Sequence, residues 1–388
     1  MIATADEAPF ANLSPDLIIA AVESAGFPSD GRILALGSYE NRVFQVGCED
    51  AEPLVVKFYR PGRWSDPAIA EEHAFARELA AAEIPVIAPF ELPRGEALGD
   101  GPVPVFRGYR LAIYPRRGGQ WPELGTADDR QWIGRFLGRI HAVGATRRFE
   151  HRARLSPEVM CRQSVAWLLA EDRIPDYVRH RYERVAAELL ERVEAGLART
   201  GTLRYLRIHG DCHRNNVLWT DRGPHFVDLD DCMTGPAIQD IWMLLAGRPD
   251  EMRAQLAEIL EGYAQFAEFD PVETALIEPL RALRMVHYAA WLARRWHDPA
   301  FPRAFPWFGE ARYWERHVAE LEELELTRFR GHLNLTIKGV HDATNTKALP
   351  CGVPGAAGRA GAGRSQPRGA VTRVRTVSAV HQQLGGSG

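Results

Sequence analysis

The chain reads as an α+β protein of two lobes, a small β-rich lobe followed by a larger, mainly helical one. Three observations predict this. Residues 33–36, 42–46 and 54–59 are short runs rich in β-branched and aromatic side chains, spaced as strands. From Thr126 onward the apolar spacing switches to the helical period. Within that helical half lies one short departure, 208–231, where two strand-like pieces are flanked by carboxylates and amides. A length of 388 residues suits two lobes.

Composition narrows the function classes. The net charge of −4 gives no general attraction to nucleic acid or to an acidic membrane surface. No apolar run reaches the roughly 18 residues of a spanning helix, and the first ten residues lack the basic start of a signal peptide. The five cysteines (Cys48, Cys161, Cys212, Cys232 and Cys351) form no CxxC pair. That argues against a disulfide framework or zinc site and fits a reducing compartment. A cytoplasmic monomer without nucleic-acid or membrane partners is expected.

Taken in order, Ser14-Pro15-Asp16 opens a helix with a capping hydroxyl, a proline at the first position and an acid in the first turn. Gly26 ends it. The three strands follow, the first two joined by the loop 37–42. Lys57 sits in the third, on the face opposite Val56 and Phe58. A cation there must be paired or must face water. Residues 67–82 form a helix with Ile69, Phe75, Ala76 and Leu79 on one face. Its adjacent Glu71 and Glu72 point about 100° apart, so only one can face Lys57. An extended stretch, 84–93, leads to a strand over 106–114 and then to Pro115–Gly119.

Thr126, with Asp128 and Asp129 behind it, opens the helical half. Trp132, Ile133, Phe136, Leu137 and Ile140 make an apolar stripe on its first helix. His141 on that helix reads as a packed residue. Further helices are expected over 165–170, 177–197, 237–246, 250–266, 271–296 and 310–325. Their tryptophans read as core, with Tyr288 and Arg294 as candidates to wall a substrate cleft.

The chemistry is concentrated in 208–231. Strand-like 217–219 and 225–229 are joined by Thr220-Asp221-Arg222-Gly223-Pro224, which carries hairpin residues. A hairpin there brings Asp211, Asn216 and Asp228 into one cleft. Two acids and an amide oxygen suit Mg²⁺, with one carboxylate left as a base. His209, Asp211 and His213 are also spaced for a transition metal, a reading that leaves Asn216 and Asp228 without a role. Asp230 and Asp231 read as a solvated acidic turn outside the site. Cys212 reads as a packed thiol, with a redox-sensitive position as the alternative.

An Asp, an Asn five residues on and an Asp after a short strand together form the protein-kinase arrangement. His209-Gly210-Asp211 with His213 resembles the aminoglycoside phosphotransferase and choline kinase branch. Cys212-His213, Asn216, Leu218-Trp219, the run Val227-Asp228-Leu229-Asp230-Asp231 and the stretch 235–243 resemble the bacterial stress response kinase A family. The resemblance covers about residues 10–330.

It implies a bilobal protein-kinase-like fold, with a nucleotide-binding lobe over 1–114 and a helical lobe over 115–330. The Arg- and Gly-rich segment 331–388 is an appended or disordered tail. By resemblance, Asp211 and Asp228 are catalytic, and Asn216 and Asp228 hold Mg²⁺. The loop 37–42 with Ser38 covers the phosphates of ATP. Lys57 contacts those phosphates and pairs with Glu72, Glu71 being the alternative. The main chain at Ala112–Tyr114 meets the adenine. The implied activity is a Ser/Thr protein kinase of bacterial stress response. A small-molecule kinase of the aminoglycoside, choline or homoserine type is the second reading, and a non-catalytic kinase-like module the third. The phosphoryl acceptor is therefore a protein or a small-molecule alcohol.

Overall fold

Ser14 stays extended, its hydroxyl accepts from the Leu17 N–H, and α1 runs Pro15–Ser24. The computed structural model describes residues 9–324. Residues 1–8 and the predicted tail lie outside the described residues. Strands β1 (Ser29–Ala35), β2 (Arg42–Cys48) and β3 (Ala51–Phe58) form an antiparallel meander. Helix α2 (Asp66–Ala81) follows, capped by Ser65. Two further strands, β4 (Val105–Phe106) and β5 (Tyr109–Pro115), complete a sheet of order β1-β2-β3-β5-β4.

The sheet order decides the environment of Lys57. Strand β3 is central, so neither of its faces is an edge. Val56 and Phe58 join α1 residues Ile18, Ala21 and Val22 in one apolar cluster. Lys57 points to the other face and is only 4% exposed. The strand expected over 106–114 is two strands. Arg107 and Gly108 both adopt positive φ, 46° and 87°, and turn the chain between them.

The rest is helical apart from two small ladders. Helix α3 (Ala127–Gly144) starts at a capping box between Thr126 and Asp129. Then come α4 (Gln163–Ala170), α5 (Asp176–Arg199), β6 (Leu206–Ile208), β7 (Val217–Thr220), β8 (Gly223–Phe226) and β9 (Met233–Gly235). Helices α6 (Ile238–Trp242), α7 (Pro249–Tyr263), α8 (Ile277–Arg295), α9 (Ala300–Ala304) and α10 (Tyr313–Glu323) close the described chain. Strands β7 and β8 form the expected hairpin, and β6 pairs with β9. The two ladders hold the loop after β6 beside the turn after β8.

Several boundaries differ from the sequence reading. The strand expected to reach residue 229 stops at Phe226, because Asp228 takes a left-handed conformation (φ 59°, ψ 66°). The helix expected over 237–246 ends at Trp242. The one expected from 271 begins as a 3₁₀ segment, Pro271–Leu276, before α8. Among the described residues no helix is long and apolar enough to cross a membrane.

Candidate active site

Gly210 is fixed by geometry. Its φ is +83°, and a Cβ there would stand 2.2 Å from the carbonyl oxygen of Asp231. The loop 209–216 and the turn 227–231 can therefore press together only with glycine before Asp211. His209 sews them further, donating from Nε2 to the carbonyl of Val227 at 2.9 Å. The N–H of Val227 donates to the carbonyl of Asn216 at 3.0 Å.

Asp211 is held on both oxygens. Arg284 Nη2 of α8 donates to Oδ1 at 2.6 Å. His213 Nε2 lies 3.4 Å from Oδ2. The Asn216 amide donates to the Asp211 carbonyl at 2.9 Å and reaches Oδ2 at 3.4 Å. Burial disfavours the charge, but Arg284, His213 and His209 override it and hold the carboxyl well below its ordinary range. Nothing in the spacing of α8 singled out Arg284 from its neighbours Arg281, Arg294 and Arg295. The expected Arg294 instead stacks on Trp167 at 5.0 Å, and Tyr288 stacks on Trp291 at 5.5 Å.

Lys57 meets three carboxylates. Its Nζ lies 2.9 Å from Asp230, 3.2 Å from Glu72 and 3.4 Å from Asp228. Burial opposes its charge, and Asp230 and Glu72 override that and keep it protonated well above the ordinary lysine range. Of the two candidate helix glutamates, Glu72 takes this place. Glu71 accepts from the N–H groups of Glu150, His151 and Arg152 at 2.6 to 2.9 Å, tying α2 to that loop.

The acidic turn is corrected by the structure. Asp230 is not solvated; it is 2% exposed. Lys57 and Arg63 converge on its carboxylate, and Arg152 donates to its carbonyl. Burial works against its charge, but Arg63, Lys57 and Arg152 hold it well below the usual carboxylate range. Asp231 pairs with Arg63 on the same turn. Arg63 and Arg152 come from 167 and 78 residues away, beyond the reach of local pattern.

Asp228 remains the open carboxylate, with its side chain 53% exposed. The Asn216 amide makes its bonds to Asp211 through the nitrogen. Asn216 and Asp228 flank the base of the hairpin, where Val217 stands opposite Phe226, and each carries a hard oxygen donor. No group of three or more His, Cys, Asp or Glu that could hold a metal alone occurs among the described residues. Such a sparse donor set fits Mg²⁺, which usually keeps waters and takes substrate phosphates as its other ligands. It does not fit a transition metal on His209, Asp211 and His213.

The remaining candidates fall at known places. Ala112 stands opposite Lys57, and Tyr114 opposite Val55, in the β3–β5 ladder. The Tyr114 hydroxyl lies 3.4 Å from that of Tyr59. The Ser38 hydroxyl donates to the Asn41 carbonyl at 3.2 Å within its own loop. Cys212 is fully buried, and burial pushes its thiol well up, so it acts as a packed residue. His141 is packed as expected, with its ring 3.0 Å from Asp240 and from the Tyr263 hydroxyl.

The profile of the phosphotransferase enzyme family matches residues 32–277. Stress response kinase A of Escherichia coli strain K12 is 43% identical over 314 residues, covering 81% of this chain and 93% of that protein. The serine/threonine protein kinase RdoA of Salmonella typhimurium strain LT2 is 44% identical over 323 residues, with the same coverage of 81% and 93%. Among solved structures, the amicoumacin kinase hAmiN, in complex with AMP-PNP, Ca²⁺ and Ami, superposes with a TM-score of 0.60 at 19% identity. That match covers 78% of this chain and 91% of the other.

Proposed function

The chain belongs to the phosphotransferase enzyme family, and from that premise we propose that it is an ATP- and Mg²⁺-dependent protein kinase acting on Ser/Thr hydroxyls. One observation carries the proposal: Lys57, braced by Glu72 and Asp230, stands beside the open Asp228, across the hairpin base from Asp211 and Asn216. A protonated lysine, an exposed carboxylate and the Asn216 amide together would offer one face to a triphosphate.

In this reading Lys57 binds the α- and β-phosphates. Asn216 Oδ1 and the Asp228 carboxylate would hold Mg²⁺, which would supply charge neutralisation for the phosphates. The main chain near the end of β5, around Ala112–Tyr114, meets the adenine, and the loop 37–42 with Ser38 roofs the phosphates. Asp211 is kept ionised by Arg284, so it accepts a hydrogen bond from the acceptor hydroxyl and aims it. The acceptor oxygen forms its bond to the γ-phosphorus as the bond to ADP breaks. The hydroxyl proton passes to Asp211 as the oxygen loses its electron density. A carboxylate this acidic is a poor base at the outset, so orientation comes first and proton transfer late.

The Ser/Thr acceptor is favoured by the 44% identity to the serine/threonine protein kinase RdoA. Small-molecule alcohols remain the second class of acceptor. The test of the metal and nucleotide roles is Asp228→Ala. It should weaken Mg²⁺-ATP binding far more than binding of metal-free ATP, as read by calorimetry. Equal affinity of wild type and variant for Mg²⁺-ATP would place the site elsewhere. Phosphoproteomes of cells carrying wild type or Asp211→Asn would separate the acceptor classes. Lost phosphoserine and phosphothreonine sites support a protein acceptor, and unchanged ones contradict it.

A further inference from the structure

A loop that covers phosphates in a kinase-like site ordinarily draws its freedom from several glycines. Here 37–42 has one, Gly37, and its main chain is tied down. Arg42 donates to the carbonyls of Tyr39 and Asn41 at 2.9 and 3.2 Å. Arg60 donates to those of Glu40 and Tyr39 at 2.9 and 3.3 Å. Both arginines are anchored on one carboxylate of the helical lobe. Asp298, 1% exposed between α8 and α9, takes Arg42 at 2.9 and 3.0 Å and Arg60 at 2.6 Å.

A second tie lies at the tip of the loop. The Glu40 carboxylate meets Arg295 at 2.5 Å and Arg60 at 3.0 Å, and accepts from Trp291 Nε1 at 2.6 Å. The Tyr39 ring packs edge-on against Phe305 at 4.9 Å, and Arg60 lies 5.5 Å over Phe301. So two acids and three arginines, with an aromatic plate beneath them, bind the loop to the helical lobe.

We propose that Asp298 is a positioning residue for phosphoryl transfer, clamping the loop 37–42 to the helical lobe so that the roof over the nucleotide phosphates is fixed before ATP binds. The kinetic part rests on the reading of that loop given above; the mechanical part does not. A preset roof spares the ordering cost that a mobile loop meets in each turnover.

The test measures hydrogen exchange of the amides in 37–42 by mass spectrometry and, on the same samples, KM and kcat for ATP. Asp298→Ala should speed exchange in the loop by about tenfold or more and raise KM for ATP by a comparable factor, with a smaller change in kcat. Asp298→Glu should recover part of both. Glu40→Gln keeps the Asp298 tie and removes only the outer one, so it serves if Asp298→Ala fails to fold; it should move both readouts in the same direction by less. Wild-type exchange in these variants would overturn the clamp. Faster exchange with unchanged KM would overturn the positioning role and take the loop off the phosphates. If the wild type releases no ADP at all, the kinase reading fails, and the exchange measurement still decides whether the clamp exists.

Discussion

Asp211 shares one carboxylate oxygen with a guanidinium and turns the other toward Asn216 and His213. Arg284 thus both holds this carboxylate ionised and fixes its rotamer. Removing a charge-assisted hydrogen bond of this kind costs about 1.5–3 kcal/mol. Arg284→Met is expected to lower kcat about ten- to hundredfold while ATP affinity stays near wild type, and Arg284→Lys should recover part of the loss. Steady-state kinetics at varied ATP check this; an unaltered kcat in Arg284→Met would reduce the pair to scaffolding. The two residues also mark how far sequence reasoning reached. Asp211, Asn216 and Asp228 were legible because a hairpin folds them together within 18 residues of chain. Helix geometry left Glu71 and Glu72 open, and only the family resemblance favoured Glu72. Arg284 was not, since it comes from 73 residues downstream on a helix with several arginines. Asp230 was misread for the same reason: two adjacent acids look like a solvated turn until Arg63, Lys57 and Arg152 arrive from elsewhere.

Helix α6 is five residues long, too short to hold itself together. What it supplies is Asp240, fully buried, whose carboxylate accepts from the His209 and Gly210 N–H groups at 2.8 Å each and meets His141 at 3.0 Å. It therefore sets the backbone on which Asp211 stands. Asp240→Ala leaves two buried N–H groups unpaired, at about 1–3 kcal/mol each. Thermal midpoint and turnover should fall together, the midpoint by about 5 °C or more. A variant that is inactive with an unchanged midpoint would mean that Asp240 takes part in the chemistry directly. The elements themselves were mostly legible from their apolar period and caps, as at Ser14, Ser65 and Thr126. Errors arose where a special backbone conformation intervened: Arg107-Gly108 split one expected strand, and left-handed Asp228 cut another short.

The described molecule is a curled sheet joined to a helical body by buried polar contacts, and it closes with α10 against α5. His317 of α10 is buried there, stacked on Tyr182 at 6.2 Å with Nε2 unpartnered among the described residues, and burial holds it neutral down to about 4. Its folded value lies below the ordinary 6.5, so between these limits the unfolded chain binds the extra proton. Stability is therefore unaffected by this group above 6.5 and is lost as pH falls toward 4. His317→Phe should flatten the fall of the thermal midpoint over that window; an equal slope in both proteins would show that the ring is solvated. The central claim, that the groups around Asp211 transfer a phosphoryl group from ATP, is tested most directly by Asp211→Asn, which keeps shape and removes the charge. Mg²⁺-ATP binding by calorimetry should stay near wild type while acceptor-dependent ADP release falls by about 10²–10⁴. Wild-type turnover in Asp211→Asn, with ATP bound normally, would contradict the account.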